Sequence, residues 1–64
     1  MKTLRRHMKR KRLSQVELAR LVGVTQPTVW AWLAGRKNPT LEHLGKLADL
    51  TGLTVDALMD RKAA

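Results

Sequence analysis

Residues 25–35 read TQPTVWAWLAG, eleven uncharged residues in a chain of 64 whose formal net charge is +8. Trp30 and Trp32 stand two apart, so on a helix their side chains diverge by about 200° and cannot both enter a core. Stepping about 100° per residue from Gln26 brings Val29, Trp32 and Leu33 to one side, with Pro27, Trp30, Ala31 and Ala34 on the opposite half. The stretch predicts a helix that Thr25 caps and that runs to about Ala34, with Trp32 inward, Trp30 outward and an outer face of small, uncharged residues.

Upstream, Ser14-Gln15-Val16-Glu17 has the capping-box pattern, in which the serine accepts from the third helical amide and the glutamate reaches back. It opens a helix to Val22 whose inward side is Leu18, Ala19 and Val22. Gly23 stops that helix because glycine tolerates the left-handed conformation, and Val24 anchors the turn. Before it, Lys2 to Lys11 carry a narrow apolar stripe, Leu4 and Met8, closed off by Leu13. Downstream, Thr40 caps a helix with Leu41, Leu44, Leu47 and Ala48 at helical spacing until Gly52. Thr54 caps a short last one with Val55, Leu58 and Met59 inward, and the tail Asp60-Arg61-Lys62-Ala63-Ala64 is expected to fray. With β signals absent, five short helices predict a compact all-α domain over residues 1–60 and a short tail over 61–64.

Size and composition narrow the function. A chain this short makes one domain with a small core, and the lack of cysteine removes disulfides, thiolate zinc sites and thiol nucleophiles together. No apolar run approaches the roughly 20 residues that span a bilayer, and residues 1–13 lack the apolar segment of a signal peptide, so an intracellular protein is expected. Thirteen Lys and Arg against five Asp and Glu favour a polyanionic partner, and seven of the thirteen fall in the first twelve residues. Taken alone, that run reads equally as a solvated basic arm. A membrane-surface helix over residues 1–13 is the weaker alternative, since its apolar stripe is only Leu4, Met8 and Leu13. His7 and His43 have no metal-ligand spacing or carboxylate companion. Asp56 and Asp60, one turn apart, read as a solvated pair and Ser14 as a cap, so no enzyme, metal or cofactor is expected.

Two helices joined by only Gly23-Val24-Thr25 have helix-turn-helix spacing. The segment QVELARLVGVTQPTVWAWLAG, with Gln15, Ala19, Gly23, Val24, Gln26, Val29 and Trp32, resembles the helix-turn-helix of the phage Cro/C1-type repressors and Xre-like bacterial regulators. GRKNPTLEHLGKLADLTGLTVDALM resembles that family's fourth and fifth helices, so the resemblance spans about residues 4–60. It implies a five-helix, lambda-repressor-like DNA-binding domain in which the third helix enters the major groove. A bacterial or phage-encoded transcriptional regulator, a cytoplasmic repressor, is the role it suggests.

An uncharged outer face suits that role, because a groove about 12 Å wide excludes bulk. Gln26 can pair bidentately with adenine, and Pro27, Thr28 and Ala31 offer apolar contact to thymine methyls. Trp30 either packs on a sugar-phosphate or base edge or lies as an ordinary surface aromatic. Family members often carry polar or basic residues at the positions of Pro27 and Ala31, and polar ones at Leu33 and Ala34, so this chain leans more on methyl contacts and DNA shape. Ser14 and Gln15, at a helix N-terminus, are natural phosphate binders, and the resemblance assigns Gln15 that job. Arg36, Lys37 and Asn38 should meet the backbone beside the groove, or Arg36 and Lys37 stay solvated, and of the first helix Arg10 and Arg12 are favoured. The partner that the resemblance implies is double-stranded DNA with a near-palindromic operator, and a weak homodimer or a monomer that pairs on DNA is expected to bind it; no small-molecule ligand or membrane partner is expected. The resemblance places the dimer contact at the fifth helix and tail, although Val55, Leu58 and Met59 read more as core. The rival reading is an antitoxin that autoregulates through this domain and meets its toxin, or another protein, through Trp30, Leu33 and Val16.

Overall fold

The computed structural model describes residues 1–61. It contains α1 (Lys2–Lys11), α2 (Gln15–Val22), α3 (Gln26–Leu33), α4 (Leu41–Thr51) and α5 (Val55–Leu58), with no strand among the described residues. The start of α2 is the capping box: Ser14 Oγ accepts from the Glu17 amide at 3.0 Å, and Glu17 Oε1 accepts from the Ser14 amide at 3.2 Å. Its end is Gly23 at φ 88°, a left-handed turn in which the Gly23 and Val24 amides both donate to the Ala19 carbonyl. Because that turn needs no Cβ, the chain reverses within three residues and delivers α3 across α2.

Thr25 occupies the N-cap position of α3, but its hydroxyl caps no amide. The reason lies in the next residues. Capping bonds go to the second or third helical amide; the second belongs to Pro27, which has none, and at the third the Thr28 hydroxyl pairs with that of Thr25 at 2.9 Å. Thr40 and Thr54 do cap α4 and α5, accepting from the amides of His43 and Ala57. At the end of α1, Arg12 takes the left-handed conformation at φ 53° that glycine usually supplies. Leu13 then bonds back to the Met8 carbonyl at 2.8 Å and packs against the core.

The core comprises Leu4 and Met8 of α1, Leu18, Ala19 and Val22 of α2, Val29, Trp32 and Leu33 of α3, Leu44 and Leu47 of α4, and Leu58 of α5. Trp32, 2% exposed, is its largest side chain. Val24, Ala48, Leu53, Val55 and Met59 cover its edges. Two expected positions differ. Leu41 is 82% exposed, because three residues before Leu44 it falls about 60° beyond it on the side away from Leu47, outside the inward sector. Leu33, offered in the antitoxin reading as a surface contact, is 9% exposed and belongs to the core, as its place beside Val29 requires.

The tail also differs from expectation at Asp60. Its carboxylate accepts from the amides of Lys2 and Thr3, at 2.7 and 2.9 Å, and from the Thr3 hydroxyl at 2.8 Å. Since α1 has no side-chain cap of its own and no acid in its first turn, Asp60 caps it from the far end of the chain. It is therefore neither frayed nor one of a solvated pair. Asp56 faces Arg61 at 4.0 Å on the surface, and the Arg61 amide bonds the Asp56 carbonyl; the remaining tail, 62–64, lies outside the described residues.

Two outcomes follow from this packing. Ala19 is 3% exposed in the core, so Ala19→Leu should overpack it and lower stability by about 1–3 kcal/mol, measured by urea denaturation. The amides of Thr3 and Lys2, with the Thr3 hydroxyl, hold the Asp60 carboxyl well below the usual aspartate range. A depressed folded value means the clasp stabilises fully above the unfolded value of about 3.9 and is lost as pH falls through and below it toward the folded value. The melting temperature of Asp60→Asn should accordingly decline less steeply than the parent's between about pH 5 and pH 2, and parallel declines would contradict the clasp.

Candidate nucleic-acid interface

Gln26 opens α3 half-buried, and its side-chain amide donates to the Gln15 Oε1 at 2.7 Å. That bond joins the first residue of α3 to the first residue of α2. One N–H and the carbonyl oxygen of Gln26 remain open, the pair of groups that a bidentate contact to adenine uses. Gln15 retains its own NH₂ for a phosphate oxygen. The outer face continues through exposed Pro27 and half-buried Thr28 and Ala31, with no charge on α3 itself.

Trp30 is 48% exposed, and the Arg36 guanidinium carbon lies 5.8 Å from its ring centroid. This cation–π contact gives Trp30 a partner from the following loop. The loop is tied to α3 through its backbone: the amides of Arg36 and Lys37 donate to the Ala31 carbonyl at 2.8 and 3.3 Å. Gly35 at φ 75° allows that reversal, and buried Pro39 pins the loop's far end. Arg36, Lys37 and Asn38 are thus exposed at one end of α3, while Gln26, Gln15 and Ser14 gather at the other.

The capping box sharpens the reading of Ser14. Its oxygen accepts from Glu17 and its amide is taken by the Glu17 carboxylate, whose pKa is lowered chiefly by that backbone bond. What remains at this helix end is the serine O–H and the amides of Gln15 and Val16. Arg12 stands exposed just before it. Arg10 falls about 140° around α1 from Arg5, whose guanidinium reaches α3, and with Thr3, Arg6, His7 and Leu53 it lines a cavity there.

Two basic residues that no motif pointed to hold the helix pair in place. Arg5 of α1 donates from Nη2 to the Leu33 carbonyl at 2.9 Å, closing the C-terminus of α3. Lys46 of α4 donates from Nζ to the Val22 carbonyl at 3.4 Å, doing the same for α2. The sequence carried one hint: α3 has no basic residue in its last turn, so the negative end of its dipole calls for a cation from outside. His43 sits half-buried with its ring 5.7 Å from that of Trp32, a packing role. The described residues contain no group of His, Asp or Glu that could hold a metal ion.

A family model for the helix-turn-helix matches residues 4–58, most of the chain. With α2 and α3 in the arrangement just described, the chain belongs to the Cro/C1-type helix-turn-helix family, a family of DNA-binding regulators. Comparison with curated proteins and with solved structures gave no match. No helix among the described residues is long and apolar enough to cross a membrane.

Arg5→Gln should leave the fold intact while loosening the end of α3. A stability loss of about 0.5–1.5 kcal/mol is expected, with the amide signals of Leu33 to Gly35 moving most in a nitrogen–proton correlation spectrum. Unchanged signals there would show that the Arg5 contact does not persist.

Proposed function

We propose that this domain is a sequence-specific transcriptional repressor that inserts α3 into the major groove of double-stranded DNA. One observation carries the reading: α3 turns Trp32 and Val29 into the protein and presents Gln26, held by Gln15, beside an uncharged outer face bounded by basic residues. Gln26 reads a base by hydrogen bonds, and Pro27, Thr28 and Ala31 supply apolar contact in the groove. Gln15, Ser14 and Arg12 meet one phosphate strand and Arg36, Lys37 and Asn38 the other, setting the register. Trp30, stacked on Arg36, lies against the sugar-phosphate edge as the groove closes around α3.

Two copies occupy half-sites of a near-palindromic operator about one helical turn, roughly 34–36 Å, apart. Leu58 is fully buried and Val55 and Met59 are half-covered by their own core, so α5 has little apolar surface for a strong dimer. Pairing on DNA agrees with that economy. The antitoxin alternative keeps exposed Trp30 and Val16 but loses Leu33, and the repressor reading accounts for Trp30 without a second protein.

Selection of bound sequences from a random duplex library tests the proposal. An enriched, symmetric site is expected, with Gln26→Ala relaxing preference at one base pair and costing about 1–3 kcal/mol there. Affinity for the selected site should fall with salt at a log–log slope of about −0.9 per phosphate neutralised. No enriched duplex, or a preference for single strands, would overturn the reading.

A further inference from the structure

The face of α1 that carries Arg10, turned about 140° from Arg5 and its bond to α3, has a feature that the proposed function leaves unassigned. Thr3, Arg6, His7 and Arg10 repeat at helical spacing and, with Leu53 from the α4–α5 connection, line an open cavity of about 310 Å³. Neither Arg6 nor Arg10 has an ion-pair partner among the described residues, and no carboxylate lines the cavity. Asp60, which bonds Thr3, has its oxygens engaged by the Lys2 and Thr3 amides, the Thr3 hydroxyl and, at 3.4 Å, the N-terminal ammonium of Met1. We propose that this cavity binds a small phosphate monoester, its phosphate between Arg6, His7 and Arg10 and its organic group against Leu53.

The chemistry of the lining selects that class. His7 Nδ1 is buried without a hydrogen-bond partner. A buried lone pair is tolerated better than a buried, unpaired N–H or a charge, which places the ring's proton on Nε2. Burial, with Arg10 and then Lys11 nearby, lowers the pKa of His7, which favours the neutral ring and a donor over a third charge. Two permanent guanidinium charges then match a dianion. Three donors from separate side chains suit the three oxygens of a phosphate, whereas the two oxygens of a carboxylate are satisfied by the fork of one arginine. Leu53, half-buried, offers an apolar surface that free phosphate leaves uncovered and an ester covers.

The site is separate from α3, and the test does not depend on an operator. Phenyl phosphate, inorganic phosphate and benzoate are titrated into the labelled protein at constant ionic strength and about pH 7.5, where a phosphate monoester is a dianion because its second pKa is about 6. Saturable amide shifts confined to Thr3, Arg6, His7, Arg10 and Leu53 are expected, with phenyl phosphate binding at least about tenfold tighter than benzoate and tighter than inorganic phosphate, a factor of ten being about 1.4 kcal/mol. Arg6→Gln and Arg10→Gln, both at exposed positions, should each weaken it about tenfold while the remaining spectrum shows the fold unchanged. Non-saturating shifts spread over Arg36, Lys37 and α1 alike, equal affinity for benzoate, or unchanged affinity in both variants would overturn the proposal. A mixed-sequence DNA duplex that shifts the same five residues and competes with phenyl phosphate would also overturn it, by assigning the cavity to the DNA backbone.

Discussion

The structure depends on the packing of α3 on α2. Ala19, 3% exposed, and Val22 of α2 are sealed with Val29 and Trp32 of α3 in one core. The rotation of α3 about its axis follows from that contact: with Val29, Trp32 and Leu33 turned into the core, Pro27, Trp30 and Ala31 face outward to varying degrees. A single packing decision therefore sets both the stability of the domain and the surface offered for binding.

Around the crossing, charges act as fasteners at helix ends. Asp60 closes the amide end of α1, Arg5 the carbonyl end of α3 and Lys46 the carbonyl end of α2. Each joins elements distant in sequence, and each places a sign of charge where the helix dipole favours it. The large basic excess is thus not one uniform field. Arg5 and Lys46 fasten helices, Arg36 stacks on Trp30, and Arg6 and Arg10 line a cavity on another side.

The interface shares this economy. Gln15 and Gln26, the first residues of α2 and α3, hold each other in place, so an amide that would otherwise rotate freely is oriented before any partner arrives. The Ala31 carbonyl receives the amides of Arg36 and Lys37, so the loop that extends the surface is an extension of α3. Polar groups that end helices here also fix the geometry of the candidate contact face.

Much was legible in the chain because it depends on neighbours in sequence. The five helices, the capping box at Ser14, the left-handed Gly23 and the inward choice of Trp32 over Trp30 all follow from periodicity and short-range bonding, which act over one or two turns. What only the tertiary structure decided are the pairings between elements. Asp60 on α1, Arg5 on α3 and Arg36 on Trp30 each depend on how one element docks against another, and helical spacing does not encode that. Local sequence sets which way a side chain leaves its own helix; what it meets there is set by the docking of the helices against one another, a collective result of the whole core.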